Sequence, residues 1–194
     1  MPGQQLLQKT EAALNGGCKL IQYRNKNLPL NALIDEAGHL RLLCQRYGAH
    51  LVVNDYLTVA IQAQTHGVHL GQGDMDVAEA RIQVGDSFCI GTTCHDSITL
   101  AQTANSKGAD YVAFGRFFSS RTKATASAAD VEIINHAKSQ LSLPIVAIGG
   151  ITQDNAALLI ERGVDSVAVC HDLFHDNDLP TIENKARYFM QLFE

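Results

Sequence analysis

Polar clusters follow seven short apolar runs along this chain, and they hold most of the side chains that could do chemistry. The clusters are residues 22–26, 54–55, 71–74, 92–95, 119–123, 149–150 and 170–171. The carboxyl ends of parallel strands open on one face of a β/α barrel, so residues that are distant in sequence can converge there on one ligand. The spacing of the clusters therefore predicts a binding site.

Two aspartates, Asp55 and Asp74, stand just beyond consecutive predicted strands and would share that face. Mg2+ usually keeps only one or two protein carboxylates and takes its other oxygens from water and phosphate, so the pair suits Mg2+ bound with a phosphorylated ligand. The alternative is that each aspartate caps the helix that follows it. Basic residues expected on the same face favour the metal, and these are Arg24, Lys26 and Lys123.

Arg24 and Lys26 flank Asn25 at a strand end, where an extended chain would aim both cations to one side. A guanidinium fork beside a point charge suits diphosphate oxygens, although a solvated pair at the protein rim gives the same pattern. Gly149 and Gly150 follow an apolar run and precede a predicted helix. Backbone N–H groups at such a turn can bind an anion, and the alternative is a plain tight turn.

Length and composition predict one domain, residues 1–194, because 194 residues with 46% hydrophobic content fill one core and are too few for two. The net charge of -5 and the lack of clustered Lys and Arg argue against a nucleic-acid partner. The chain shows neither a signal peptide nor an apolar run of roughly 18 residues, which predicts a cytoplasmic protein without a membrane partner. Five cysteines without a C-x-x-C pair indicate buried free thiols rather than disulfides or a zinc site.

Short and almost continuously apolar runs predict seven parallel strands covered by helices. The predicted strands are 20–24, 51–54, 67–70, 88–92, 111–114, 145–148 and 166–169, and the eight predicted helices are 4–15, 31–47, 57–65, 75–83, 97–107, 128–140, 152–162 and 181–192. Their regular alternation favours a β/α barrel over a doubly wound open sheet. Ser97 and Thr152 are the predicted caps of two helices. The long connection 116–127, rich in Ser, Thr and Lys, is predicted to be a lid.

Two histidines near strand ends, His69 and His95, have no metal-ligand partner at a suggestive spacing. We interpret both as hydrogen-bonded structural residues. The aromatic residues of segment 111–118 are interpreted as core and wall rather than as a stacking platform for nucleic acid.

The ordered series of strand ends resembles that of the thiamine phosphate synthase family, also called thiamine-phosphate pyrophosphorylases. The resemblance runs from about residue 6 to residue 174, and its motifs are 22–26 (QYRNK), 53–55 (VND), 67–72 (GVHLGQ) with Asp74, 115–118 (GRFF) through 122–123 (TK), and 146–151 (VAIGGI). Each motif is unspecific alone, but their order and spacing together are highly specific. The resemblance implies an α/β fold of the TIM (β/α)8-barrel type.

The activity that the resemblance implies is a transferase reaction of thiamine biosynthesis. Hydroxymethylpyrimidine diphosphate would be joined to a thiazole phosphate, releasing diphosphate and forming thiamine phosphate. Such a dissociative displacement needs a leaving group neutralised by metal and cations more than it needs a base. The implied partners are therefore small phosphorylated molecules, and a homo-oligomer is left open.

The resemblance also assigns residues to roles. Asp55 and Asp74 would hold Mg2+. The implied substrate-binding residues are Gln22, Tyr23, Arg24, Asn25, Lys26, Asn54, Thr93, Ser120, Arg121, Thr122, Lys123, Gly150, Cys170 and His171. Four of these would be catalytic, namely Arg24, Lys26, Thr93 and Lys123. Within the set, Gln22 would face the pyrimidine, and Gly150 with the backbone at Cys170 and His171 would bind the thiazole phosphate.

The chain departs from the family pattern in four places. Thr93 and His171 stand where the family usually has serine, and Ser120 stands where it has threonine. The family also begins with an apolar strand before its first helix, and only residues 1–3 occupy that place here, so we expect a barrel that lacks its first β-strand. Two alternatives stay open: a relative resembling the thiazole tautomerases, and a truncated barrel that binds phosphorylated ligands without turnover.

Overall fold

The computed structural model describes residues 2–118 and 129–194 as an alternation of helices and strands. The strands are β1 (Leu20–Tyr23), β2 (His50–Asn54), β3 (Gly67–Leu70), β4 (Cys89–His95), β5 (Tyr111–Phe114), β6 (Ile145–Ile148) and β7 (Ser166–Ala168). The helices within those ranges are α1 (Pro2–Asn15), α2 (Leu30–Arg46), α3 (Leu57–Gln62), α4 (Val77–Val84), α5 (Ile98–Ser106), α6 (Glu132–Gln140), α7 (Ala156–Glu161), α8 (His171–Phe174) and α9 (Leu179–Gln191).

The seven strands form one parallel sheet in which sequence neighbours are spatial neighbours, in the order β1 to β7. A doubly wound sheet reverses its strand order at a switch point, so this order excludes that alternative. In the part of the chain that the structure describes, β1 and β7 each pair with one neighbouring strand. The fold is therefore α/β with an open, barrel-like sheet.

The pleat of the strands gives the sheet an outer and an inner face. Outer side chains such as Leu51, Val68 and Ile90 are fully buried against the helices and belong to one continuous hydrophobic core. The inner face is polar near the carboxyl ends of the strands, where Asn54 lies beside His69 in the register. The sheet thus separates an apolar layer from a polar interior.

Local capping explains why α5 starts where predicted and α7 does not. Ser97 caps α5 as predicted, because its hydroxyl accepts a hydrogen bond from the Leu100 N–H at 3.3 Å. The prediction that Thr152 caps a helix is wrong, since α7 begins at Ala156. The Asn155 side chain accepts from the Thr152 N–H at 2.8 Å and holds the intervening residues in a turn.

Two elements near the carboxyl end of the sheet differ from the predicted pattern. Strand β4 continues to His95 through an irregularity in its pairing with β5 between Thr93 and His95. The short helix α8 was not predicted, and its Leu173 packs with Ile182 of α9 in a second, smaller core. Both differences arise from tertiary contacts that a local apolar pattern does not report.

Side chains at the amino ends of the strands form hydrogen bonds to the backbone of a neighbouring strand at three places. In each case the residue just before a strand accepts a hydrogen bond from a backbone N–H near the start of the preceding strand. The pairs are His66 Nδ1 with Leu51 at 3.1 Å, Asp110 Oδ2 with Ile90 at 2.6 Å, and Asp165 Oδ2 with Ile145 at 2.7 Å. These contacts fix the register at the end opposite to the polar clusters.

The five cysteines are free thiols, as predicted. Cys44 and Cys94 are buried, whereas Cys170 is exposed, so the expectation of burial fails for Cys170. Among residues 2–118 and 129–194, we find no helix with the length and apolar character needed to cross a bilayer.

Gly91 leaves the space that the Tyr111 ring occupies, because a β-carbon built at Gly91 would overlap that ring. Gly91→Ala should therefore displace Tyr111 and lower the free energy of unfolding by about 1–3 kcal/mol. Denaturant titrations of the variant and the parent measure the difference.

Gly38→Ala is the matched control, because the same methyl group is added in α2 where nothing lies within 4 Å of it. This change should stabilise the protein by about 0.5–1 kcal/mol, since alanine loses less backbone entropy than glycine in a helix. Equal stability of Gly91→Ala and the parent would contradict the close approach of Tyr111.

Candidate active site

Side chains from neighbouring strands meet inside the carboxyl half of the sheet. The register aligns Asn54 of β2 with His69 of β3, His69 with Gly91 of β4, and Gly91 with Tyr111 of β5. Because Gly91 has no side chain, the Tyr111 ring stacks on His69, with the ring centroids 5.6 Å apart and the planes at 27°. The pairing of the strands thus builds the floor of the site.

His69 uses both of its ring nitrogens. Its Nδ1 lies 3.0 Å from the Tyr111 hydroxyl oxygen, and its Nε2 lies 2.9 Å from Thr93 Oγ1. In the tautomer in which the Tyr111 hydroxyl donates, Nδ1 of His69 is the acceptor. An imidazole that accepts at Nδ1 carries its proton on Nε2 and donates to Thr93. The Thr93 hydroxyl is then free to donate into the interior.

Burial keeps the floor of the site neutral. It lowers the pKa of His69 to about 4, with the Asp55 carboxylate acting in the opposite direction. It also raises the pKa of the Tyr111 hydroxyl above its ordinary range. Near pH 7 the floor therefore offers hydrogen bonds between uncharged groups rather than an ionised nucleophile.

Two carboxylates and a lysine lie at the rim above this floor. Asp55 and Asp74 are close enough for their carboxyl groups to hydrogen-bond. Lys26 Nζ lies 3.3 Å from Asp55 Oδ2, and the Gly71 N–H donates to Asp74 Oδ2 at 2.7 Å. Removal from water and the neighbouring Asp55 raise the pKa of Asp74, while the Gly71 N–H and Lys26 oppose that rise. The oxygen donors and the lysine suit a hard cation together with an anionic ligand.

Neither aspartate caps a helix, which removes the simpler explanation of the pair. Helix α3 has no side-chain cap, and α4 is capped by Asp76, whose Oδ1 accepts from the Ala78 N–H at 2.9 Å. Asp55 instead has a left-handed backbone with φ 69°, and its N–H donates to the His69 carbonyl at 2.8 Å. This bond ties the rim of the site to its floor.

The polar cluster after β1 divides between the two faces of the sheet. Tyr23 is buried on the helix side, where its hydroxyl donates to Glu36 of α2 at 2.6 Å. Asn25 accepts from the Asn27 N–H at 3.0 Å in a local turn. The structure therefore brings Lys26 to the carboxylates but not the Tyr23 side chain.

Arg24 and Asn54 complete the predicted diphosphate set that the structure describes. Arg24 is exposed just beyond β1. Asn54 is buried at the end of β2, directly before Asp55. Asn54 thus lies between the floor and the rim, whereas Arg24 lies at the solvent edge.

The glycine turn after β6 is shaped by contacts on both sides. Gly150 has φ 67°, and its carbonyl accepts from the Asn155 side chain at 3.0 Å. On the other side, the Phe118 N–H donates to the Gly149 carbonyl at 3.0 Å. A β-carbon at Gly150 would approach the Phe118 carbonyl to 2.6 Å, so only glycine fits.

The last predicted cluster lies beyond β7, next to that turn in the sheet order. Cys170 is exposed and directly precedes α8, which begins at His171. The His171 ring contacts that of His175, with the centroids 4.6 Å apart.

The predicted site residues Ser120, Arg121, Thr122 and Lys123 lie outside the described residues, as does most of the predicted lid 116–127. Within the described ranges, no group of three or more His, Cys, Asp or Glu side chains gathers as a metal cluster. A metal at the rim would thus rest on the two carboxylates alone.

Sequence reasoning missed the contribution of His69, Tyr111 and Gln72 to the site. His69 is hydrogen-bonded, as interpreted, but it lies in the polar interior, whereas His95 is exposed at the end of β4. Gln72 donates from its side chain to the Thr93 carbonyl. The alternation of β3 could have indicated His69, since its neighbours on both sides are apolar and face the helices.

Comparison with known proteins finds close relatives along nearly the whole chain. A family model described as thiamine monophosphate synthase matches residues 1–173. The chain is 46% identical to a thiamine-phosphate synthase of Alcanivorax borkumensis, covering 100% of this chain and 89% of that protein. It is 45% identical to a thiamine-phosphate synthase of Thioalkalivibrio sulfidiphilus, covering 96% of this chain and 87% of that protein. Among solved structures, a thiamine phosphate pyrophosphorylase from Pyrococcus furiosus matches with a TM-score of 0.83 and 28% identity, covering 96% of this chain and 88% of that one.

The buried neutral His69 should make stability fall with acid. The unfolded chain has a histidine pKa of 6.5 and the folded protein about 4, so the unfolded state binds more protons between these values. This stabilisation is complete above pH 6.5 and should fall by about 3 kcal/mol as the pH drops toward 4. Denaturant titrations across that range in the parent and in His69→Gln isolate the share of this one group.

The control is His39→Gln, which changes an exposed histidine of α2 and should keep the parent's pH dependence. His69→Gln should lose stability at pH 7 and show a flatter dependence below pH 6.5. Parallel pH curves for His69→Gln and the parent would contradict a neutral His69.

Proposed function

Since the chain belongs to the thiamine monophosphate synthase family, we propose that it joins hydroxymethylpyrimidine diphosphate to a thiazole phosphate. The products are thiamine phosphate and diphosphate, so the protein is a transferase of thiamine biosynthesis. The observation that carries the proposal is the pair Asp55 and Asp74 with Lys26, set above a neutral, hydrogen-bonding floor. This arrangement suits a reaction in which a negatively charged group leaves and no protein nucleophile is needed.

The rim is proposed to hold Mg2+ and the diphosphate. Asp55 and Asp74 fit Mg2+ because they are hard oxygen donors held close together. A cation between them would relieve the repulsion that, together with burial, raises the pKa of Asp74. When bound, Mg2+ would neutralise charge on the departing diphosphate. The proposed protein contacts to the diphosphate are Arg24, Lys26, Asn54 and Lys123.

The floor is proposed to orient the pyrimidine. In the tautomer in which Tyr111 donates to His69, His69 donates to Thr93, and the Thr93 hydroxyl can donate inward. A donor so directed can hold an acceptor atom of the pyrimidine diphosphate, while Gln22 contacts the ring. Arg24, Lys26, Thr93 and Lys123 form the proposed catalytic set, and they act by charge and hydrogen bonding.

The far end of the site is proposed to bind the thiazole phosphate. Gly150, with the backbone at Cys170 and His171, would supply N–H donors to the phosphate oxygens, a contact that does not require serine in place of His171. Ser120, Arg121 and Thr122 are proposed to add contacts from the segment outside the described residues. Tyr23 and Asn25 are proposed to contribute through the backbone, because their side chains are engaged elsewhere.

The architecture that we propose is an eight-stranded (β/α) barrel from which one strand is missing between β1 and β7. The single pairing of each outer strand supports this, as does the exposure of Leu20 on β1. We also propose that the chain forms one domain in the cytoplasm. A thiazole tautomerase-like activity is less well supported, because the residues suited to a metal and a diphosphate are all present.

Asp55→Asn and Asp74→Asn should each lower the rate of Mg2+-dependent thiamine phosphate synthesis roughly a thousandfold, because a charge-neutralising ligand is lost. Asparagine is chosen because it tolerates the left-handed backbone at Asp55. Product formation under saturating substrates, and circular dichroism of each variant, measure activity and fold.

Asp35→Asn is the control, since it removes an exposed carboxylate from α2 and should leave the rate unchanged. If Asp55→Asn or Asp74→Asn turns over at the rate of the parent, that residue is not a ligand of Mg2+. An inactive parent in the presence of both substrates and Mg2+ would overturn the proposed function and favour a barrel that only binds phosphorylated ligands.

An apolar strand of about five or six residues, fused with a short loop ahead of Met1, should raise the melting temperature. It would pair the open sides of β1 and β7, each of which pairs with one neighbouring strand in the described part of the chain. A control fusion of equal length with alternating Gly and Ser should not change the melting temperature. If both fusions have the same melting temperature as the parent, the proposed eight-stranded closure is wrong.

A further inference from the structure

Two side-chain donors of Arg116 are buried without a hydrogen-bond partner among the residues that the structure describes. Arg116 follows β5 by two residues, and the two donors are its side-chain Nε and Nη1 atoms. A buried polar group that lacks a partner costs free energy, and a charged one costs more. A cation in this state is therefore expected to have a partner that is not part of the described protein.

The protein segment next to Arg116 cannot provide a neutralising charge. Residues 119–128 read Ser-Ser-Arg-Thr-Lys-Ala-Thr-Ala-Ser-Ala and contain no acidic side chain. The nearest acidic residue that follows in sequence is Asp130, whose Oδ1 accepts from the Glu132 N–H at 3.0 Å. An anion from outside the chain is the remaining way to neutralise Arg116.

The position of Arg116 in the fold points to one end of the site. Its backbone and the base of its side chain pack on Gly149, where a β-carbon would come within 2.6 Å of Arg116 Cα and 2.7 Å of its Cγ. The next residues continue along the same turn, since the Phe117 N–H donates to the Ile148 carbonyl at 3.3 Å and the Phe118 N–H to the Gly149 carbonyl at 3.0 Å. The backbone of Arg116 and the base of its side chain thus lie against the glycine turn at the carboxyl end of β6.

We propose that the Arg116 guanidinium binds the phosphate monoester of the thiazole substrate at this turn. The inference rests on the proposed function, and it adds a specificity residue to it. A guanidinium can donate two parallel hydrogen bonds to a phosphate and stays charged at all working pH values. Arg116 therefore favours the phosphorylated thiazole over the corresponding free alcohol.

Steady-state kinetics of Arg116→Met test the assignment to one substrate. The KM for thiazole phosphate should rise roughly 10- to 100-fold, the range expected for loss of a charged hydrogen bond. The KM for pyrimidine diphosphate and the saturating kcat should stay near those of the parent. Arg116→Lys should recover part of the affinity, and Arg46→Met, which changes an exposed arginine of α2, should behave as the parent.

Thermal melting with and without inorganic phosphate separates binding from packing. Removing an uncompensated buried cation should leave the melting temperature of Arg116→Met without phosphate equal to or above that of the parent. Phosphate should stabilise the parent and Arg46→Met more than it stabilises Arg116→Met. A lower melting temperature for Arg116→Met with an unchanged response to phosphate would make Arg116 a packing residue and overturn the inference.

The two failures are distinguishable. A parent protein that makes no thiamine phosphate overturns the proposed function. An active Arg116→Met with an unchanged KM for thiazole phosphate overturns this inference alone. A raised KM for pyrimidine diphosphate in its place would show that Arg116 contacts the other substrate, which also overturns the inference.

Discussion

Each strand of the sheet must turn alternate side chains to opposite faces, and neighbouring parallel strands in register must agree on which face is which. One register therefore sets both the composition of the core and that of the interior. It sends Leu51, Val68 and Ile90 into the core under the helices, and it sends Asn54 and His69 into the interior. A shift of one residue in any central strand would bury the polar set and expose the apolar set. The fold and the site are consequently held by the same hydrogen bonds.

The interior and the rim differ in electrostatic character, and the difference matches the proposed chemistry. The floor is made of neutral donors and acceptors that burial keeps uncharged, with His69 as their centre. Formal charge is concentrated at the rim, where Asp55, Asp74 and Lys26 lie in one region. A site of this kind can orient an uncharged ring below while neutralising a leaving group above. The role proposed for Arg116 would add a charge for the second phosphate.

The seven strands could be predicted from the sequence because each is a short apolar run bounded by glycine and polar residues, and all seven are confirmed. Convergence of Asp55, Asp74 and Lys26 also followed from the strand ends, which parallel pairing brings to one face. Other features depend on contacts that no local pattern contains. The side chain of Tyr23 faces α2 because of Glu36, and the late start of α7 depends on a side-chain bond made by Asn155.

The site role of His69 was missed for a related reason. Its partners Tyr111 and Thr93 come from later strands, and the ring can reach Tyr111 only because Gly91 stands between them in the register. The side-chain hydrogen bonds at the amino ends of the strands join the strands in pairs. His66 joins β2 to β3, Asp110 joins β4 to β5, and Asp165 joins β6 to β7. Amide protons of each joined pair should exchange with solvent together, as one cooperative unit. Among the described residues, no side-chain bond of this kind joins β1 to its neighbour, so opening of the sheet should begin at β1.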